Sequence, residues 1–157
     1  MNRTTSWTGM MVASLILGTA ACSNSSAATA PPSSTVLPSA APSHDVSVSL
    51  NQWSVTPSTT PASGSVTFTV SNDGTVPHEF VVLKTNTPAA DIPVGEFEGE
   101  SERIDEDTAG TNVGETGDME PGATKSITIH LAPGHYVFFC NLPAHYQEGM
   151  HIDVTVT

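Results

Sequence analysis

The chain has 157 residues, 4 basic and 16 acidic, for a formal net charge of −12. That length allows one domain, and the scarcity of cations leaves nothing to neutralise phosphates. A nucleic-acid partner is therefore excluded, and a cationic protein partner fits better.

In the first 22 residues Arg3 is the only charge, an apolar run extends from Met10 to Leu17, and small residues from Gly18 to Ala21 lead into Cys22. The run is too short to span a bilayer and reads as an export signal. Leu17-Gly-Thr-Ala-Ala-Cys22 resembles a bacterial lipobox, with Thr19 where Leu is usual. Acylation of Cys22 is expected, giving a lipoprotein on the periplasmic or outer side of the cytoplasmic membrane; cleavage near Ala27 or Ala28 to a free product is the alternative. A lipid anchor gains about 0.8 kcal/mol per buried CH₂. Either way, Cys140 is then the one thiol left in an exported chain, where disulfides are the usual fate. Metal ligation explains an unpaired Cys there, and so does burial as a small apolar side chain.

Residues 23–43 are almost entirely Ser, Ala, Thr and Pro and read as an extended linker, with a folded domain over 44–157. Val46, Val48 and Leu50 then share one strand face, and Trp53 and Val55 take the opposite parity, which predicts a bend between two short strands. Val66, Phe68 and Val70 alternate with threonines up to the turn Asn72-Asp-Gly74, and His78, Phe80 and Val82 share a face of the next strand.

Residues 85–122 break the alternation. Eleven of the 16 acidic residues lie between Asp91 and Glu120, against the single base Arg103. This reads as a solvated excursion with a short helix around Glu96 to Asp107, or as a partner-docking segment. A calcium loop is a third reading, and the carboxylates lack the regular spacing that wraps one ion.

Beyond Pro121-Gly122, Ile127, Ile129 and Leu131 alternate with polar residues, and Ala132-Pro-Gly134 reverses the chain. Tyr136, Phe138 and Cys140 share one face of the following run and Val137 and Phe139 the other, so this strand belongs in the middle of a sheet. Met150, Ile152, Val154 and Val156 form the inner face of the last strand. Seven to eight short antiparallel strands predict an all-β sandwich of two sheets.

The stretch Cys140-Asn-Leu-Pro-Ala-His145-Tyr-Gln-Glu-Gly-Met150 joins the last two strands. Its ends lie close together, so thiol, imidazole and thioether converge at the rim, and His78 at the edge of another inner strand completes the set. One Cys, two His and a weak axial Met form a blue-copper site: the thiolate gives strong covalency, imidazoles suit both oxidation states, and the Met sulfur tunes the potential. Met119 lies in a turn outside this loop and is left out. His130, His135, His151 and His44 fall away from the ligand-bearing faces.

These motifs, with Asn72-Asp-Gly-Thr-Val-Pro-His78-Glu-Phe-Val-Val and Pro133-Gly-His-Tyr-Val-Phe-Phe-Cys140, resemble the cupredoxins, type 1 blue copper proteins of the plastocyanin and azurin group. The four-residue gaps on both sides of His145 are similar to auracyanin-, rusticyanin- and sulfocyanin-like members. The resemblance implies a Greek-key β-sandwich, one copper on His78, Cys140, His145 and Met150, no substrate turnover, and electron exchange through His145. Glu79 stands where the family often has an Asn that ties the ligand loops, and a carboxylate cannot make that donor contact.

Leu142, Pro143, Ala144 and Tyr146, with Val76 and Pro77, are expected to form an apolar docking patch around His145. Acids nearby would steer a cationic redox protein such as a c-type cytochrome or a copper oxidase. A monomeric one-electron carrier is the leading expectation, a periplasmic or extracellular copper chaperone or store the alternative. An enzyme is not expected, because a second copper centre needs paired histidines and no His-x-His occurs.

Overall fold

The computed structural model describes residues 44–157. The export signal, the lipidation site at Cys22 and the linker expected over 23–43 lie outside the described residues. Among the described residues no helix is long and apolar enough to cross a membrane.

Two four-stranded sheets face each other. The first has the order β2-β1-β3-β8, from Ser54–Pro57, His44–Asn51, Gly64–Asn72 and Thr124–Leu131. The second has the order β10-β9-β4-β7, from His151–Val156, Gly134–Phe139, Val81–Lys84 and Thr111–Glu115. A small antiparallel pair, β5 (Gly95–Phe97) with β6 (Glu100–Arg103), stands apart from both.

The all-β sandwich is as expected, with eight strands in its two sheets. One pairing differs: β1 and β3 run parallel, Val46 opposite Phe68 and Val48 opposite Val70. A parallel partner needs a crossover rather than a tight turn. Here β2 and residues 58–63 supply it, folding back on β1 as a hairpin through Gln52 and Trp53 before the chain returns as β3.

Alternation drives the packing between the sheets. Val46, Val48, Leu50, Val66, Phe68 and Val70 of the first sheet meet Val82, Tyr136, Phe138 and Val154 of the second, with Phe80 just before β4, in one buried cluster. Phe68, Phe80 and Phe138 lie with ring centroids 5.4–5.5 Å apart in tilted and edge-on pairs. Each such ring contributes about 1.5–3 kcal/mol by burial alone.

β9 lies inside its sheet, flanked by β10 and β4, and both its faces are covered, as its sequence requires. Its outward residues Val137 and Phe139 enter a second cluster with Val81, Leu83, Ala89, Ile92, Ile104 and Tyr146. That cluster holds the acidic segment against the sandwich, while most of its carboxylates stay at the surface. Between Asp91 and Asp107 the chain forms the β5–β6 hairpin, and helix is limited to one turn, α1 (Glu106–Ala109), capped by Asp105 accepting from the Thr108 N–H. Ile92 and Ile104 anchor the acidic segment on the outer face of the second sheet, and β7 joins that sheet beside β4.

Candidate metal centre

His78 precedes β4 and is fully buried. Its backbone exchanges two hydrogen bonds with Met119, N–H to Met119 O at 3.1 Å and O from Met119 N–H at 2.8 Å. Asn72 shapes the turn before it. The Asn72 amide donates to the carbonyls of Val76 (2.9 Å) and Met119 (2.7 Å), and its oxygen accepts from Gly74 N–H (3.0 Å). Gly74 lies so close that a Cβ there would stand 2.8 Å from His78 Nε2.

Cys140 follows β9. Its N–H donates to Met150 O at 3.0 Å, which places the two ends of the loop side by side. Inside the loop His145 N–H donates to Leu142 O and Met150 N–H to His145 O, both at 3.1 Å. Ala144 adopts the left-handed conformation, φ 69°, which costs an L-residue about 1–2 kcal/mol and turns the chain before His145.

Three of the four expected ligands, His78, Cys140 and His145, therefore come together from two places 62 residues apart in the chain. His145 Nδ1 lies 3.3 Å from Cys140 Sγ and 3.3 Å from His78 Nδ1. One donor atom from each of these three residues lies within 4.8 Å of the others, and among the described residues no other group of His, Cys, Asp and Glu does this. Met150 is fully buried in the same cluster as Cys140, and so is Met119.

The donor chemistry fits a soft metal ion. Burial pushes the Cys140 thiol up to about 11 and, with the neighbouring His145, pushes His78 down to about 4; burial also lowers His145. Two imidazoles whose charging burial disfavours thus bring ring nitrogens beside a buried sulfur whose ionisation burial also disfavours, an arrangement that a bound cation would stabilise. The Glu79 N–H donates to Cys140 Sγ at 3.2 Å and supports negative charge there.

A family model for the sulfocyanin (SoxE) domain matches residues 43–157. The chain belongs to the sulfocyanin family. Its fold is similar to that of solved auracyanins. The reduced auracyanin of the photosynthetic bacterium Roseiflexus castenholzii is 26% identical over 76% of this chain and 99% of its own, with a TM-score of 0.53. Auracyanin A of Chloroflexus aurantiacus, a "blue" copper protein, is 17% identical over 74% of this chain and 100% of its own, with a TM-score of 0.52. No curated protein sequence matches the chain. As in other cupredoxins, the cofactor of this sulfocyanin-family chain is copper, and its His, Cys, His and Met side chains are consistent with a single type 1 site.

Around His145 the expected patch is only partly at the surface. Pro143 and Pro77 are exposed, and Leu142, Ala144 and Val76 are half-buried. Tyr146 is a correction: it is buried, packs its ring on Phe139 and donates its hydroxyl to Ala89 O at 2.7 Å. Turning that residue inward satisfies both ring and hydroxyl. Its place outside is taken by Trp53, 39% exposed at the tip of the β1–β2 hairpin, 4.8 Å from the His145 ring and 6.3 Å from the His78 ring by centroids. The sequence signal for it is a large aromatic in a turn, off the parity of both flanking strands.

The two ligand loops are tied by the Glu79 backbone N–H on Cys140 Sγ, and the Cys140 loop is held from a further side. Asn141, next to Cys140 and fully buried, accepts from Ile104 N–H (2.8 Å) and donates to Ile104 O (3.0 Å) and to Glu106 Oε1 (2.7 Å). Ala144 N–H donates to Glu102 O at 3.1 Å. The acidic segment thus braces the copper-binding loop.

Proposed function

We propose that this chain is a one-electron carrier in which His78, Cys140, His145 and Met150 hold one type 1 copper. The observation that carries this reading is the meeting of two imidazole nitrogens and one buried sulfur within 4.8 Å on loops pinned by the sandwich. Copper bound there supplies a Cu(I)/Cu(II) couple. Asn72, Asn141 and the Glu79 N–H keep the donors in one arrangement for both states, which limits the rearrangement that slows electron exchange. Burial of His78 and Cys140 favours the carrier over a chaperone or store, because handing copper on requires an accessible thiol.

Electrons pass through His145, which is partly exposed, while Pro143, Leu142, Ala144 and Trp53 surround it as the docking face. The net charge of −12 supports a cationic redox protein as partner, a c-type cytochrome or a copper oxidase. The segment from Leu17 to Cys22 supports export and acylation of Cys22.

Copper reconstitution tests the reading. The oxidised protein develops an intense thiolate-to-Cu(II) band in the visible and cycles reversibly in a redox titration, and Cys140→Ala folds without the band. A colourless copper-loaded oxidised protein, or colour that survives Cys140→Ala, overturns it.

A further inference from the structure

Beside the ligand loop lies a second site of different chemistry. A cavity of about 310 Å³ is lined by Glu79, Glu98, Glu106, Asp107 and Glu115, with Arg103 as its one cation. Five carboxylates less one guanidinium leave a formal charge of −4 on its walls.

Most groups in it are already committed. The Asn112 amide donates to Glu106 Oε2 at 2.6 Å and Glu115 Oε2 at 2.8 Å, and its oxygen accepts from Gly114 N–H. Arg103 turns its guanidinium to the hairpin, donating to Glu100 at 2.7 Å with Glu98 3.9 Å away. Two atoms are exceptions. Arg103 Nε is buried with no hydrogen-bond partner, and Glu79, 6% exposed, has its Oε2 buried with none either. A buried carboxylate oxygen without a donor, in a cavity walled by four other carboxylates, lacks a positive charge.

We infer that this cavity binds one hydrated, oxygen-preferring divalent cation, Ca²⁺ in type. No three of the carboxylates approach within 4.8 Å of one another, so some contacts run through water. The volume holds an ion with several waters at about 30 Å³ each. Flexible, six- to eight-fold oxygen coordination suits Ca²⁺ better than the strict octahedron of Mg²⁺, and spread ligands place the affinity at about 10⁻⁴–10⁻³ M. Regular sequence spacing is not needed, because the segment before β4, the β5–β6 turn, α1 and β7 bring the acids together from separate elements.

The cavity touches the copper loop twice. Glu79 lines it while its N–H holds Cys140 Sγ, and Glu106 lines it while accepting from Asn141. On the copper reading above, a bound cation raises the reduction potential, because added positive charge favours Cu(I) over Cu(II).

The test titrates the copper-loaded chain with CaCl₂, and separately MgCl₂, at ionic strength matched with NaCl. Calorimetry and thermal melting read binding, and a redox titration reads the coupling. Expected are one Ca²⁺ per chain, weaker Mg²⁺ binding, a saturable rise in Tm, and at least tenfold weaker affinity in Asp107→Asn/Glu115→Gln, which leaves the visible band unchanged. Heats that do not saturate, or a response equal in the double variant and the parent, overturn the site. Saturable binding at constant potential overturns the coupling. Loss of the visible band speaks against the copper reading alone, since calorimetry and melting report Ca²⁺ without it.

Discussion

Trp53 sets the edge of its indole against the His145 imidazole, ring centroids 4.8 Å apart and planes at 63°. The Gln52 side chain beside it holds the hairpin to the other ligand-bearing loop, donating to Thr75 Oγ1 at 2.5 Å and accepting from Thr75 N–H at 3.2 Å. Trp53 therefore shields the most exposed ligand. Trp53→Ala admits water beside His145, which favours the more highly charged oxidised site, so the midpoint potential falls. Trp53→Phe keeps most of the parent value. The loss in folding stability stays near the worth of one aromatic pair, about 0.5–1.5 kcal/mol. A redox titration and a denaturant melt separate the two effects, and an unchanged potential in Trp53→Ala removes the shielding role.

Gly74→Ala probes the cradle of His78. The added methyl would stand 2.6 Å from Gln52 Oε1 and 2.8 Å from His78 Nε2. The Gln52 side chain is exposed and has room to swing away, whereas His78 is buried and has none. Overpacking of this kind costs about 1–3 kcal/mol and falls on the ligand itself. Copper dissociation faster than in the parent, with a shifted visible spectrum, is the expected result. Identical spectra and off-rates would show that the loop accommodates the methyl.

Asn141→Leu tests the brace. It leaves Ile104 N–H and O, both in the interior, and one oxygen of Glu106 without their partner. Each buried polar group so orphaned costs about 1–3 kcal/mol. The denaturant midpoint drops, and the acidic segment becomes sensitive to protease before the sandwich does. Proteolysis at the parental rate would mean that Ile92 and Ile104 hold the segment unaided.

Glu79 gives the metal-free protein a pH signature. Burial first, then the charges of Glu115 and Glu106, push its carboxyl from 4.5 up to about 7, with Arg103 opposing and Asp118 adding slightly. A raised carboxyl binds more protons folded than unfolded, so its contribution to stability is full below about 4.5 and is lost as pH rises to about 7. His78 and His145, lowered from 6.5, act in the opposite sense by losing stability as pH falls. Comparison with Glu79→Gln isolates the carboxyl: the stability of the parent relative to the variant declines across pH 4.5 to 7 in paired melts. A constant difference would place the Glu79 carboxyl at its ordinary value.

The ligands were legible because their signal is local. Cys140, His145 and Met150 sit in one loop whose flanking parities already aim both ends inward, and the double-sided apolar run of Tyr136 to Phe139 identifies a covered strand. His78 needed the alternating strand after it. What stayed hidden depends on distant pairing. Asn141 finds Ile104 thirty-seven residues upstream, a contact that no periodicity encodes. The anchoring of the 91–120 segment was hidden because Ile92 and Ile104, which hold it, are isolated apolar residues in a polar stretch. Tyr146 and Trp53 exchange the roles their neighbourhoods suggest, since only the folded chain shows which ring has a hydroxyl acceptor inside. The parallel pairing of β1 and β3 was hidden behind the hairpin that separates them.

β1 starts at His44 and ends at the hairpin whose tip meets the copper ligands. Its eight residues span roughly 26 Å at about 3.3 Å each. The described chain therefore begins a full strand length from the candidate copper site, at the far end of the sandwich. A contact made at the His44 end of β1 therefore leaves His145 and Trp53 uncovered at the other end.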